Sequence, residues 1–405
     1  MKYRFLKLTS AYTDFINDLI KKNPGFEKLS YNEMYKFFLD GHFWIPHAEY
    51  IEKLGNVSKT YISSFEILQK QWARENNIKI NKQSWLQDIT LAQIKSFNPD
   101  VIFLTDLYLF DKKFRKTIRD ACSTDVLLIG YRSAPTNNYA DFSDLDFIFS
   151  SNKSIVHHFI QNGVNADLLP LAFESTYLEG IDTTKNRDLP FTFVGSIAGP
   201  DSCFSQRYEM INKLLQQTPL QIWTPTRDNS FFYRYGRFFK IFKKVPVPEN
   251  IINKYKIMKT IDHIVNSDNS FIRELNEHYP DRFHPAVYGI DYHRILARSK
   301  LAFNIHIDVA EKYVGNLRMF EATALGSCLI TDWKEDLSEY FIPDQEVVTY
   351  RDADECIQKI NYLLDNESEC RKIAEAGQKR TLRDHTFEQR MIKLNDTIIN
   401  RLNSP

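Results

Sequence analysis

The residues best suited to chemistry lie between Ala286 and Thr331, in the run AVYGIDYHRILARSKLAFNIHIDVAEKYVGNLRMFEATALGSCLIT. Arg318 and Glu321 stand three positions apart, which puts both on roughly one face of a helix. The pattern predicts that this helix opens near Asn316, after a polar loop from Ile307 to Gly315 that leaves the end of a strand. Unpaired backbone N–H groups at a helix start, backed by the positive end of the dipole, form an anion site that needs no glycine-rich signature. Arg318 would add a cation for a phosphate, and Glu321 a carboxylate for a ribose diol. The competing readings are a solvated or capping Glu321 and a structural Arg318–Glu321 ion pair.

Such a site would have to replace the usual phosphate cradles. The chain has only 13 glycines in 405 residues, and none of them forms G-x-G-x-x-G or G-x-x-x-x-G-K-[ST]. Lys+Arg and Asp+Glu balance at 52 each, so no global field draws the protein to nucleic acid. With 43% hydrophobic residues the composition is that of an ordered globular chain, and its length predicts two or three domains. Cys122, Cys203, Cys328, Cys356 and Cys370 are widely spaced and include no C-x-x-C pair, which favours buried thiols over zinc or redox chemistry. No apolar run is long enough to cross a bilayer and the first residues carry charge, so a cytoplasmic location is expected.

The elements that must position the site fall in two series of alternating short apolar runs and helical patterns, the mark of parallel β-α units. Val101–Leu104, Val126–Ile129 and Asp146–Phe149 read as strands in the first half, with helices near 64–76, 84–97, 111–121 and 152–161. A polar stretch from Glu174 to Pro190 reads as the linker. Strands at Phe191–Val194, Leu220–Trp223, Leu301–Ile305, Cys328–Ile330 and Val347–Tyr350 follow, with helices near 205–217, 291–299, 316–325 and 352–365. The expected architecture is α/β: two doubly wound domains facing a cleft, with ligands at the carboxyl ends of the strands. The first would span 1–180 and the second 186–385, interrupted by an insertion over 224–283. Within the insertion, Phe231 to Thr260 holds eight Lys/Arg against one acidic residue, interleaved with aromatics. It reads equally as a face for an anionic membrane surface or as a solvated basic face over an aromatic core.

Several of these stretches resemble GT-B glycosyltransferases of group 1, in particular the CgeB-like subset with its family-4-like donor domain. Asn316-Leu317-Arg318-Met319-Phe320-Glu321-Ala322 is similar to the family's N-x-R-x-F-E-A helix start, and Phe193-Val194-Gly195-Ser196 to the first strand and turn of the donor domain. Tyr288-Gly289-Ile290-Asp291, Asn304-Ile305-His306 and Asp344 to Tyr350 fit later strands and turns, and Gln71–Glu75, Pro99–Val101 and Leu169–Phe173 the acceptor domain. The likeness covers most of the chain outside 224–283.

The resemblance implies two Rossmann-like domains and transfer of a sugar from a nucleotide-diphosphate sugar to a hydroxyl of a glycan or lipid-linked acceptor. The setting it suggests is surface polysaccharide or glycoconjugate assembly, in the cytoplasm or on the inner face of the cell membrane. The helix at 386–405 would cross back to the first domain. Glu321 matches the second glutamate of the family's Glu, seven residues, Glu motif and would bind the ribose. The first falls at Tyr313, a departure that Glu311 or Asp308 would have to make good. The backbone of Val314, Gly315, Asn316 and Leu317 would cradle the pyrophosphate, with Arg318 or Arg207 as counter-charge. Gly195, Ser196, Tyr288, Gly289, Asn304 and His306 would complete the nucleotide-sugar site. Retention of configuration is implied, without metal or further cofactor; if the reaction inverts, His42 and His47 are the candidate bases.

Two alternatives remain open. Asp144-Leu145-Asp146 is the D-x-D pair by which GT-A glycosyltransferases hold a divalent metal, although here it runs into apolar Phe147-Ile148-Phe149 and reads better as a strand entry. The change at Tyr313 keeps alive a nucleotide-sugar or glycan-binding protein without turnover.

Overall fold

The computed structural model describes residues 2–40, 46–122, 125–183, 187–197, 205–225, 270–306 and 310–403. The chain divides into two compact units: residues 1–180, 312–320 and 381–405, and residues 181–311 and 321–380.

Each unit is built on a six-stranded sheet in which every pairing is parallel. The first comprises β1 (Arg4–Thr9), β2 (Val57–Ile62), β3 (Val101–Leu104), β4 (Leu127–Tyr131), β5 (Phe147–Ser150) and β6 (Ala166–Leu168), in the order β2-β1-β3-β4-β5-β6. Sequence reading found β3, β4 and β5, whose β-branched and aromatic runs are buried on both faces. It missed β1 and β2, where lysines (Lys7, Lys59) break the apolar run, and the three-residue edge strand β6. Lys7 is buried all the same, with its Nζ 2.9 Å from His47 Nδ1.

Helix Phe387–Asn403 belongs to the first unit. Its buried Phe387, Met391, Leu394 and Ile398 form an apolar stripe at helical spacing that joins the core around Tyr3, Phe5, Tyr50 and Ile51. The Tyr3 hydroxyl, one residue before β1, donates to Asn395 Oδ1 at 2.8 Å, so the last helix and the approach to the first strand share a polar anchor as well as a core.

The second sheet comprises β7 (Leu189–Val194), β8 (Leu220–Thr224), β9 (Phe283–Pro285), β10 (Ser299–Asn304), β11 (Cys328–Asp332) and β12 (Val348–Tyr350), in the order β12-β11-β10-β7-β8-β9. The insertion is shorter than the sequence suggested. Helix Ser270–His278 leads into β9, and this strand pairs with β8 to complete the sheet, so residues 270–285 are part of the domain. Three residues ending in a proline carry too little pattern to reveal an edge strand. The basic aromatic stretch 231–260 lies outside the described residues.

Arg187 ties this second unit together from just before β7. Its guanidinium donates to the carbonyls of Ala297, Ser299 and Leu325, joining three segments that meet at the amino ends of the central strands.

Candidate functional site

In a doubly wound sheet the chain runs outward in both directions from one strand pair, and the crevice at the carboxyl ends of that pair is the natural ligand position. In the second sheet the pair is β7 and β10. Gly195 and Ser196 follow β7 and Ile305 and His306 follow β10, so three of the predicted positions, Gly195, Ser196 and His306, come together there without a glycine-rich fingerprint.

Arg207, in the first turn of helix Ser205–Gln217, reaches across this point. One guanidinium nitrogen donates to the Ser196 carbonyl at 2.9 Å and another to the Ile305 carbonyl at 3.1 Å. With 6% of its surface exposed, it braces the two strand ends as well as placing a positive charge beneath them. Asn304 is placed differently from the expectation of a donor contact. It is fully buried, its amide donates to Thr331 Oγ1 at 2.9 Å, and its carbonyl accepts from the Tyr350 hydroxyl. Parallel register sets Asn304 beside Thr331, so the strand neighbour takes the side chain.

His306 is the most constrained side chain at this edge. Its Nδ1 lies 2.7 Å from Asp332 Oδ1, and its backbone N–H donates to the same oxygen at 3.0 Å. Lys334 Nζ sits 3.1 Å from Asp332 Oδ2 and donates to the Glu311 carbonyl at 2.6 Å. Burial would raise the Asp332 carboxyl, but attraction from His306, hydrogen bonds from its ring and backbone, and Lys334 outweigh it and leave the group below its ordinary value. Sequence reading overlooked Asp332 and Lys334. The available signal was that Asp332 ends a strand parallel to β10, which brings the two carboxyl ends side by side.

Glu321 stands at the start of a second polar group in the same unit. The Tyr292 hydroxyl donates to its Oε2 at 2.6 Å, and His293 Nε2 lies 3.6 Å from Oε1. Tyr292 therefore fixes the carboxylate, a contact that sequence reading also missed. Both partners ride on helix Ile290–Arg298, whose N-cap is Gly289 at φ 57° and ψ −133°, a conformation that a Cβ would oppose. This turn, with Tyr288 before it, accounts for the glycine at that position.

Tyr313, Val314, Gly315, Asn316, Leu317 and Arg318 cluster with the first unit, whereas Glu321 belongs to the second. The helix runs from Arg318 to Ala324 and not from Asn316, because the residues before it follow a different hydrogen-bonding plan. Asn152 Nδ2 donates to the carbonyls of Tyr313 and Val314 at 3.3 Å each, and Ser151 Oγ to that of Gly315 at 3.4 Å. A Cβ on Gly315 would come within 3.2 Å of Asn152, so glycine permits this close approach. Tyr313 stands between Lys153 and Lys312, each 5 to 6 Å from its ring centre, and packs edge-on against His157. Glu311 adopts φ 51°, which a non-glycine residue seldom does.

The remaining candidates separate from these groups. His47 is 5% exposed and packs against Phe103 and Phe387, so a direct role on an acceptor hydroxyl has no support from its placement. His42, Asp308 and Cys203 lie outside the described residues. The D-x-D carboxylates face arginines: Arg115, 1% exposed, clasps Asp144 through two nitrogens at 2.6 and 2.8 Å, and Arg119 meets Asp146 at 2.8 Å. Charge pairing within the first unit thus accounts for both acids. Cys328, Cys356 and Cys370 are buried and Cys122 half-buried, all as free thiols.

Comparison with known proteins shows what the chain is similar to. Residues 261–396 match the family described as glycosyl transferase-like. Across the whole chain, the fold is similar to that of sucrose-phosphate synthase from Thermosynechococcus elongatus (10% identity, 99% of each chain covered, TM-score 0.54). It is also similar to a glycosyltransferase from Rickettsia africae (12% identity, all of both chains, TM-score 0.54). Anabaena HepE in complex with UDP-glucose gives 10% identity over all of both chains and a TM-score of 0.55. No curated protein matches the chain by sequence. The two parallel sheets match the Rossmann-like domains of the GT-B fold, and the family match covers part of the chain, from within the second sheet's unit into the last helix.

Proposed function

We propose that the protein transfers a sugar from a uridine-diphosphate sugar to a hydroxyl of a glycan or lipid-linked acceptor, with retention of configuration and without a metal ion. The observation that carries this reading is the polar edge where β7 meets β10: Gly195, Ser196, Arg207 and His306 lie at the carboxyl ends of that strand pair. Uridine is favoured because HepE, of similar fold, is described in complex with UDP and with UDP-glucose.

Breaking the anomeric C–O bond loads negative charge on the departing diphosphate. Groups that hold that charge more tightly than the ground state lower the barrier. His306 and the positive charge of Arg207 supply such groups, and Glu321, oriented by Tyr292, accepts hydrogen bonds from the ribose hydroxyls. The departing phosphate takes the proton of the acceptor hydroxyl, so no side-chain base is needed. With Asp144 and Asp146 engaged by arginines, the D-x-D pair lends no support to a metal-dependent reaction. The biological setting proposed is surface polysaccharide or glycoconjugate assembly.

A thermal-shift series with UDP, GDP, dTDP, ADP and CMP, followed by turnover of UDP-glucose in EDTA, tests the reading. UDP should raise the unfolding temperature most, because a ligand bound only by the native state stabilises it. Glu321→Ala should weaken UDP binding by about 1–3 kcal/mol. If no nucleoside diphosphate stabilises the protein the proposal fails, whereas binding without turnover across a donor panel would favour a non-catalytic nucleotide-sugar binder.

A further inference from the structure

The nucleotide reading leaves one arrangement at the β10 edge unexplained. His306 is 3% exposed, and its Nε2 is buried with no hydrogen-bond partner among the described residues. A buried ring nitrogen left unpaired is costly, so its persistence calls for a reason. The other nitrogen is far from idle. A carboxylate only accepts, so the 2.7 Å contact with Asp332 Oδ1 makes Nδ1 the donor and leaves Nε2 as the buried ring nitrogen without a partner among the described residues.

Asp332 is itself fixed from three directions. Oδ1 also accepts the His306 backbone N–H, Oδ2 meets Lys334, and Lys334 reaches the carbonyl of Glu311, where the loop after β10 turns through a positive φ. The strand end, the ring and the loop therefore share one carboxylate. Among the described residues, the charged and titratable groups near the ring are Asp332 at the end of β11, Lys334 beyond it, Arg207 on the Ile305 carbonyl, Tyr350 on the Asn304 carbonyl, and Glu311 in the loop.

We infer that Asp332 is a positioning residue that fixes the tautomer and orientation of His306, so that Nε2–H of the doubly protonated ring donates to a diphosphate oxygen of the bound nucleotide. The inference rests on the proposed nucleotide-sugar function and names the device by which that site holds its anion. Two features of the geometry favour an anion over a neutral ligand. With Nδ1–H already given to Asp332, a proton on Nε2 makes the ring a cation whose second donor can face the ligand. Asp332, with Lys334 beside it, offsets that charge from the far side of the ring. The arrangement parallels the way a carboxylate orients the far nitrogen of a metal-binding or catalytic histidine.

The pH dependence follows. An anion held at Nε2 needs a proton there as well as on Nδ1, so the advantage conferred by His306 should be larger in acid than in base. The nucleotide's own terminal phosphate also changes charge with pH, so the informative quantity is the ratio of affinities between the wild-type protein and His306→Gln.

The experiment is calorimetric titration of the full-length protein with UDP at pH 5.5, 7 and 8.5, for the wild type, His306→Gln, Asp332→Asn and Asp332→Glu, with unfolding temperatures measured in parallel. We expect His306→Gln to weaken UDP binding at least tenfold at pH 5.5 and at most about threefold at pH 8.5. Asp332→Asn should reproduce most of that loss together with its pH dependence, and Asp332→Glu should recover part of it. A merely structural carboxylate would lower the unfolding temperature of Asp332→Asn but leave the UDP affinity ratio independent of pH. That outcome, or equal UDP affinity in the wild type and His306→Gln at all three pH values, overturns the inference while leaving nucleotide binding intact. Failure of the wild type to bind UDP at any pH overturns the functional proposal itself, so the two failures are distinct.

Discussion

The strand pairs at which the two sheets reverse direction use polar groups in opposite ways. In the first sheet the pair is β1 and β3, where Thr105 Oγ1 donates to Thr9 Oγ1 at 2.6 Å, and the buried Lys7 beneath them meets His47. In the second the pair is β7 and β10, where Arg207 ties the two strand ends while His306 has one ring nitrogen engaged and the other without a partner among the described residues. The same kind of topology thus supports a closed polar edge in one unit and an incompletely satisfied one in the other. A fold supplies the crevice; the residues placed at it decide whether a ligand is wanted.

The comparison is most exposed to failure at the acids of the first unit. If Asp144 serves Arg115 alone, Asp144→Ala strands a guanidinium that is 1% exposed, and the protein should lose about 3 kcal/mol of stability in urea unfolding. UDP affinity of the folded variant should be unchanged. A stable variant, or one whose turnover loses a dependence on Mg²⁺, would move the D-x-D pair from structure to function.

A second test uses pH. Burial pushes Lys7 down to about 7, only partly opposed by Glu49. Because the unfolded chain then binds the proton more tightly than the folded one, stability should rise as pH climbs from about 7 toward 10, by at most about 1.4 kcal/mol per pH unit for this one group. The cost of burying the charge is fully felt below that window. Lys7→Met should flatten this rise; a slope that survives the substitution assigns it to other groups.

The smallest effect is expected at the threonine pair. Thr105→Val removes a single hydrogen bond from the closed edge and should cost about 1 kcal/mol in unfolding free energy, with UDP binding unaltered. A change in nucleotide affinity there would erase the distinction between the two edges.

The interior strands were legible because β3, β5 and β11 are apolar on both faces, and the helices near them because amphipathic spacing survives in any context. β1 and β2 were hidden by lysines that interrupt the apolar run, Lys7 buried against His47 forty positions on and Lys59 exposed, and β9 by its brevity. Within the site, Gly195, Ser196, Arg207 and His306 were named from sequence and meet at one edge, whereas Asn304 is committed to its strand neighbour. Tyr292, Asp332 and Lys334 went unnoticed because what matters about them is whom they face.

By itself the sequence determined the alternation of strand and helix, the parallel α/β class and the absence of the usual phosphate-binding glycine signatures, since periodicity and local turn chemistry are properties of neighbouring residues. Only the tertiary structure decided which arginines take up Asp144 and Asp146, which carboxylate orients His306, and which asparagine holds the loop before Arg318. Those choices join residues tens to well over a hundred positions apart, and only the packing of helices, loops and strand ends brings them within a hydrogen bond of one another.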